Sequence, residues 1–423
     1  MAKSTPGGLG NGDQEEFGAA PHERPVPRIS IQAFCEFPDT GAAIQRAAAD
    51  RRLAKAHVTV QLGGLQAAVE HHSANATPNL LIVETRLQGK TAVEEVDRLA
   101  DVCDPATKVV VIGRVNDVEL YRELMRRGVS EYLVAPLNPL HLIEVISGLY
   151  LDPDAAPIGR VVSFVPARGG VGSSTLAHNV GWCIAERLKI NTTIVDLDMP
   201  FGTMGLDFNE EPSQGVADAL AAPERLDDVL LDRLLLKATE HLSLFASPAI
   251  VDRNYDHDPA AFEAVLDAVR RVTPCVIVDL PHLWSPWMRQ TLLASDDIVI
   301  VATPDLASLR TAKSYVDLVR ANRPNDPPPK LVLTQTNVPK RPEIPVKDFA
   351  QTMGISPSLV LPFEPLLYGS ASNNGQMLME VQPKSPTADG IRLLAEMVTG
   401  RSVQADDKSV LPFLSFLKGK KSA

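Results

Sequence analysis

The feature that most limits the fold of this chain is Val161-Val162-Ser163-Phe164-Val165-Pro166-Ala167-Arg168-Gly169-Gly170-Val171-Gly172-Ser173-Ser174-Thr175, followed by a helical pattern beginning Leu176-Ala177. A buried strand runs into a glycine-rich turn and leaves it as the first turn of a helix. That path aims backbone N–H groups and the positive end of the helix at a phosphate. Gly169, Gly170 and Gly172 let the main chain approach closely with no Cβ in the way. A bare glycine turn can be a mere tight connection, but the hydroxyls that follow it favour a phosphate site.

The loop departs from the common phosphate-loop pattern at two positions. Ala167 stands where the first Gly would be, and Ser173 replaces the Lys before the Ser/Thr. That Lys supplies a cation at the β/γ-phosphates, where charge stabilisation dominates phosphoryl transfer. The backbone cradle and Mg²⁺ remain, so binding is expected to survive the loss better than hydrolysis does.

Around this loop the chain alternates strands and helices, which implies parallel βαβ units. In the first part, strands are predicted at Ile29–Phe34, Val58–Leu62, Leu80–Val83, Val109–Ile112 and Tyr132–Val134, with helices such as Thr40–Ala54 and Asp117–Arg127 between them. In the second part they fall at Val161–Val165, Thr193–Val195, Leu242–Phe245, Val276–Val278, Ile298–Val301, Lys330–Leu333 and Leu359–Val360. Several are continuous apolar runs, as expected of strands covered on both faces. The expected organisation is a disordered segment over 1–27, a flavodoxin-like domain over 28–150, a linker over 151–159, a doubly wound nucleotide-binding domain over 160–402 and a tail over 403–423.

Composition narrows the function. A net charge of -11 argues against general affinity for duplex DNA, and no sequence-specific nucleic-acid partner is expected. Cys35, Cys103, Cys183 and Cys275 have neither metal-ligand nor disulfide spacing and read as isolated thiols. His241, His257 and His282 are too scattered to form a ligand set. The N-terminus lacks a signal-peptide pattern and no apolar run is long enough to span a membrane, so a cytoplasmic protein is expected.

At the glycine loop the sequence resembles the deviant Walker A motif of the MinD/ParA ATPases. The resemblance implies that Arg168, at the position of that family's signature lysine, serves as a trans cation across a homodimer. It implies that Gly169, Gly170, Val171, Gly172, Ser173, Ser174 and Thr175 hold ATP or ADP. Asp196 and Asp198 in Asp196-Leu197-Asp198 match the family's second acidic motif, and Asp279 in Val276-Ile277-Val278-Asp279 matches its Walker B carboxylate. By resemblance Ser174, Asp196 and Asp279 lie at Mg²⁺, and Asp198 positions the attacking water. Where relatives carry Asn-Arg to read the adenine, this chain has Thr334-Gln335.

More closely, the chain is similar to the CpaE/TadZ branch of that family, the positioning proteins of Tad (Flp) pili. Asp196-Leu197-Asp198-Met199-Pro200-Phe201-Gly202-Thr203, Pro339-Lys340-Arg341-Pro342-Glu343-Ile344 and Asn373-Asn374-Gly375-Gln376-Met377 carry that likeness. It implies a nucleotide-binding spatial regulator with weak or absent hydrolysis, a pilus secretion ATPase and polar scaffold proteins as partners, and a polar position at the inner membrane. A nucleotide-free pseudo-ATPase scaffold and a DNA-partitioning ATPase are the alternatives.

Residues 28–150 resemble a response-regulator receiver that lacks its chemistry. Glu84 stands at the phosphoacceptor position, Ala135 replaces the Lys before the cis proline, and Gly113 replaces the hydroxyl that ends the fourth strand. A partner-docking surface is expected in place of phosphorelay. In the tail, Val410, Phe413, Leu414 and Leu417 have helical spacing beside Lys418, Lys420 and Lys421. Peripheral contact with an anionic membrane and docking on the protein itself both remain open.

Overall fold

The computed structural model describes residues 26–150, 158–253 and 255–401. The tail over 403–423, and most of the segments expected over 1–27 and 151–159, lie outside the described residues.

The first unit is built from β1 (Ser30–Cys35), α1 (Pro38–Ala48), β2 (His57–Leu62), α2 (Gly64–His72), β3 (Leu80–Glu84), α3 (Gly89–Val102), β4 (Lys108–Gly113), α4 (Val118–Arg126), β5 (Glu131–Val134) and α5 (Pro139–Tyr150). Its five strands form a parallel sheet in the order β2-β1-β3-β4-β5. Side chains alternate across this sheet. Ile31, Ala33, Ile82, Val110 and Ile112 pack in one core layer with Ile44 of α1 and Ile146 of α5. Phe34, Leu81, Val83 and Val111 pack in the other with Leu65, Val96 and Leu124.

The second unit opens with β6 (Arg160–Pro166), α6 (Ser173–Arg187), β7 (Thr192–Asp196), α7 (Met204–Phe208), α8 (Val216–Ala221) and α9 (Asp228–Leu234). It continues with β8 (Leu236–Lys237), β9 (Leu242–Phe245), α10 (Pro259–Val272), β10 (Cys275–Asp279), α11 (Pro286–Ala294), β11 (Asp297–Ala302) and α12 (Leu306–Asn322). It ends with β12 (Lys330–Thr336), α13 (Val346–Met353), β13 (Leu359–Pro362), α14 (Pro365–Asn374), α15 (Leu378–Val381) and α16 (Pro386–Thr399). The strand order is β13-β12-β11-β6-β10-β7-β9-β8, and among the described residues only β8 runs antiparallel to its neighbour. β6 lies between β11 and β10, so the turn after it opens at the carboxyl end of the sheet, where the strand order reverses and open α/β sheets bind ligands.

The fold is therefore the α/β one expected: a receiver-like parallel sheet followed by a doubly wound P-loop sheet. The differences are local. The helix expected over Thr40–Ala54 stops at Ala48, and Arg51–Leu53 form a short 3₁₀ turn capped by the Asp50 side chain. β8 is an additional two-residue edge strand.

That 3₁₀ turn joins the two units. Arg51 contacts Asp296 at 3.0 Å and Asp326 at 3.1 Å. Arg52 pairs with Asp50 at 2.8 Å and also reaches Asp326. Arg323 donates to the Ser295 carbonyl at 2.6 Å and to Asp326 at 2.7 Å, while Asn325 donates to Asp50 at 3.0 Å. Arg52, Asp50, Asp296 and Arg323 are all buried. Buried charges persist only when paired and hydrogen-bonded, and these are.

Candidate functional site

The glycine loop is held from behind by its carbonyls. Thr334 Oγ1 donates to the Val171 carbonyl at 2.7 Å, and Gln335 Nε2 donates to the Gly170 carbonyl at 2.8 Å. The two residues expected to face a base thus grip the loop. Ala167, at the loop's entrance, donates its amide to Val301 on β11 at 2.8 Å. Among the described residues, the amides from Gly169 to Thr175 make no hydrogen bond. Orphan N–H groups at a helix start need an acceptor, and an anion supplies one.

Space in front of the loop is open. A Cβ added at Gly169, Gly170 or Gly172 meets nothing within 4 Å. Gly170 and Gly172 have φ of 80° and 83°, values that disfavour any side chain. The cradle therefore fits a phosphate chain. Ser173, where a cation would be, is buried and its hydroxyl has no partner.

The acidic residues converge on the same end of the sheet. β10 pairs with both β6 and β7, and Asp279 lies opposite Asp196 in that register. Asp196 accepts from the Asp198 amide at 2.9 Å and from Ser247 Oγ at 3.0 Å. Gly202 is required here, because a Cβ would lie 2.2 Å from Asp196 Oδ2. The Ser174 side chain lies beside Asp279 and favours its charged form, and Asp279 Oδ1 is buried without a partner. Burial, with Asp196 nearby, pushes the Asp279 carboxyl up to about 7 against the opposing pull of His178. Burial also raises Asp196 and Asp198.

No group of three His, Cys, Asp or Glu side chains among the described residues could hold a metal by itself. Mg²⁺ is ordinarily held by one or two carboxylates together with the substrate's phosphates. The unpartnered Asp279 oxygen beside the Ser174 hydroxyl suits that arrangement. Arg168 stands at the rim, 59% exposed, with its guanidinium 3.8 Å from Asp305.

His178 is the resident that sequence reasoning missed. Its imidazole is fully buried, with Nδ1 2.7 Å from Asp207 and Nε2 3.8 Å from Asp279. Burial opposes its charge, but the hydrogen bond to Asp207 and the charges of Asp279, Asp207 and Asp196 outweigh it and raise its pKa. A signal was present in the spacing. Position 178 lies one helical turn beyond Ser174, so both occupy one face of α6. Asp207, on α7, and Ser247, in the loop after β9, were also missed, since neither stands in a local pattern pointing to the site.

A doubly wound parallel sheet with this loop and these strand-end carboxylates at its crevice is a P-loop fold of the MinD/ParA type. No protein-family model matches the sequence. The septum site-determining protein MinD of Synechocystis is 23% identical over 272 residues, 62% of this chain and 94% of that protein. The ParA family ATPase from Chlorobium tepidum is 25% identical in sequence, covering 57% of this chain and 98% of that one, with a TM-score of 0.50. The pilus assembly protein CpaE from Caulobacter crescentus is 53% identical, covering 30% of this chain and 98% of that structure, with a TM-score of 0.30. The identity, over nearly all of that shorter chain, carries the relationship. The chain belongs to the CpaE branch of the MinD/ParA family.

Proposed function

We propose that this protein binds ATP or ADP with Mg²⁺ in the Gly169–Thr175 cradle. Binding drives homodimerisation, and the dimer acts as a spatial regulator of assembly and localisation of the Tad (Flp) pilus secretion machinery. The observation that carries the reading is the run of unpartnered loop amides whose carbonyls are tied back by Thr334 and Gln335. Ser174 and Asp279, with Asp196 beside them, would hold Mg²⁺, which supplies positive charge at the phosphates. Asp198 would orient water. Arg168, exposed at the rim, would reach a second copy's nucleotide.

Hydrolysis is slow or absent in this reading, because Ser173 contributes no cation. The partners are a pilus secretion ATPase and polar scaffold proteins, at a cytoplasmic, polar position peripheral to the inner membrane. Among the described residues no helix is long and apolar enough to cross a membrane. The contact between His178 and Asp279 favours the second reading, a nucleotide-free scaffold, since it already engages the carboxylate nearest Mg²⁺.

Light scattering with and without Mg·ATP separates the two. The nucleotide-dependent regulator shifts from monomer toward dimer, and Arg168→Ala weakens that shift. A mass unchanged by nucleotide supports the scaffold.

A further inference from the structure

The first unit carries a cavity of about 210 Å³ lined by residues that follow β1, β3 and β4. It lies at the carboxyl end of the sheet, where folds of this kind hold ligands. Two guanidinium groups flank it. Arg114 lies 3.7 Å and Arg86 4.3 Å from the ring centre of Phe37. Arg86 is already engaged, with Nε 3.0 Å from the Glu36 carboxylate. Arg114 makes no hydrogen bond among the described residues, and its side chain is 50% exposed.

The nearest carboxylate gives it only a long ion pair and no hydrogen bond. Glu84 lies 3.9 Å from Arg114 and is completely buried. Its oxygens accept from the Glu36 amide at 2.8 Å, the Phe37 amide at 3.0 Å and Thr40 Oγ1 at 2.8 Å. The residue at the phosphoacceptor position is therefore spent on closing the turn into α1.

The wall that presents Arg114 is fixed. Tyr132 donates its hydroxyl to the Val115 carbonyl at 2.8 Å. That hydroxyl fits only because residue 113 is glycine, since a Cβ there would lie 2.0 Å from it. Leu87, Val115 and Leu120 add apolar lining, with Gln88 beside them. A guanidinium stacked on a ring and short of acceptors is suited to carboxylate or phosphate.

We infer that this cavity binds an oxyanion carried on a small apolar body, with Arg114 as its principal ligand and Phe37 holding the guanidinium in place. The site is separate from the glycine loop and does not depend on the nucleotide reading.

The test is methyl NMR of the full chain, in which Leu87 and Val115 report on the cavity and Val171 on the glycine loop. The probes are benzoate, phenyl phosphate and inorganic phosphate. Saturable shifts of Leu87 and Val115 are expected with benzoate or phenyl phosphate at a Kd of about 1 mM or below. The stronger of the two distinguishes carboxylate from phosphate. Arg114→Gln weakens binding at least about tenfold, and Arg114→Lys recovers only part, because it keeps the charge and loses the planar fork. Unchanged Ile44 and Ile146 methyls show that the variants fold. Shifts confined to Val171, no shift with any probe, or binding unaffected by Arg114→Gln overturns the site. Inorganic phosphate binding as tightly as both organic probes overturns the apolar part of the assignment.

Discussion

Nδ1 of His178 lies 2.7 Å from Oδ2 of Asp207, fixing the first helix after the glycine loop to the short helix α7. The imidazole is wholly buried, and its other nitrogen faces Asp279. His178→Ala leaves carboxylates without their cationic neighbour. Breaking a buried pair costs about 3–5 kcal/mol, so urea denaturation should show a midpoint well below that of the wild type.

The same cluster sets a pH dependence. In the nucleotide-free protein the carboxyl of Asp279 is raised by burial to about 7, and His178 is raised as well. Both groups hold protons in the folded state that the unfolded chain releases. Their contribution is present at low pH and falls as pH rises, through about 4 to 7 for Asp279 and above the ordinary imidazole range for His178. Asp326 and Asp305, whose carboxyls are lowered, act oppositely toward acid. The stability of wild type relative to Asp279→Asn should therefore decline between about pH 5 and pH 8. Urea midpoints across that interval check it, and a rising difference contradicts it.

Glu84 accepts three hydrogen bonds at the start of α1, so Glu84→Ala leaves the Glu36 and Phe37 amides and the Thr40 hydroxyl without their acceptor. A loss of about 1–3 kcal/mol is expected. Incubation with a small-molecule phosphodonor should add no phosphate to wild type, as read by intact mass.

Arg52 and Asp326 are 5% and 8% exposed across the junction of the two units. Arg52→Ala removes one of the cations that tie the first unit to Asp326 and takes the guanidinium partner from buried Asp50, while Arg51 and Arg323 stay on Asp326. Calorimetry should show one unfolding transition in the wild type and two in the variant, with the first unit released earlier. Coincident transitions in the variant would refute the coupling.

The sheet strands were legible because buried parallel strands read as unbroken apolar runs, as at β6, β10 and β11. β8 was not, since two residues on an edge leave no period to detect. The helix α1 was read too long because Ala49 and Arg51–Leu53 continue an acceptable helical composition. What ends it is the chain turning to deliver Arg51 and Arg52 to Asp296 and Asp326, a tertiary demand. At the site, Asp196 and Asp279 end strands and Asp198 follows two residues beyond β7; all three were named from their match to the family's motifs beside the glycine loop. Thr334 and Gln335 were found by position, but their hydrogen bonds to the loop carbonyls could not be read from sequence. His178 was hidden because its partner, Asp207, lies 29 residues away.

The central claim is that the amides from Gly169 to Thr175 hold a phosphate chain although Ser173 offers no charge. Calorimetric titration of the full chain with ATP in the presence of Mg²⁺ tests it most directly, alongside Gly169→Val. That position lies outside the left-handed region and its Cβ points into open space, so the variant folds while its side chain intrudes on the cradle. Saturable binding by the wild type and its loss in Gly169→Val are expected. No saturable binding by the wild type, or binding unchanged in the variant, would contradict it.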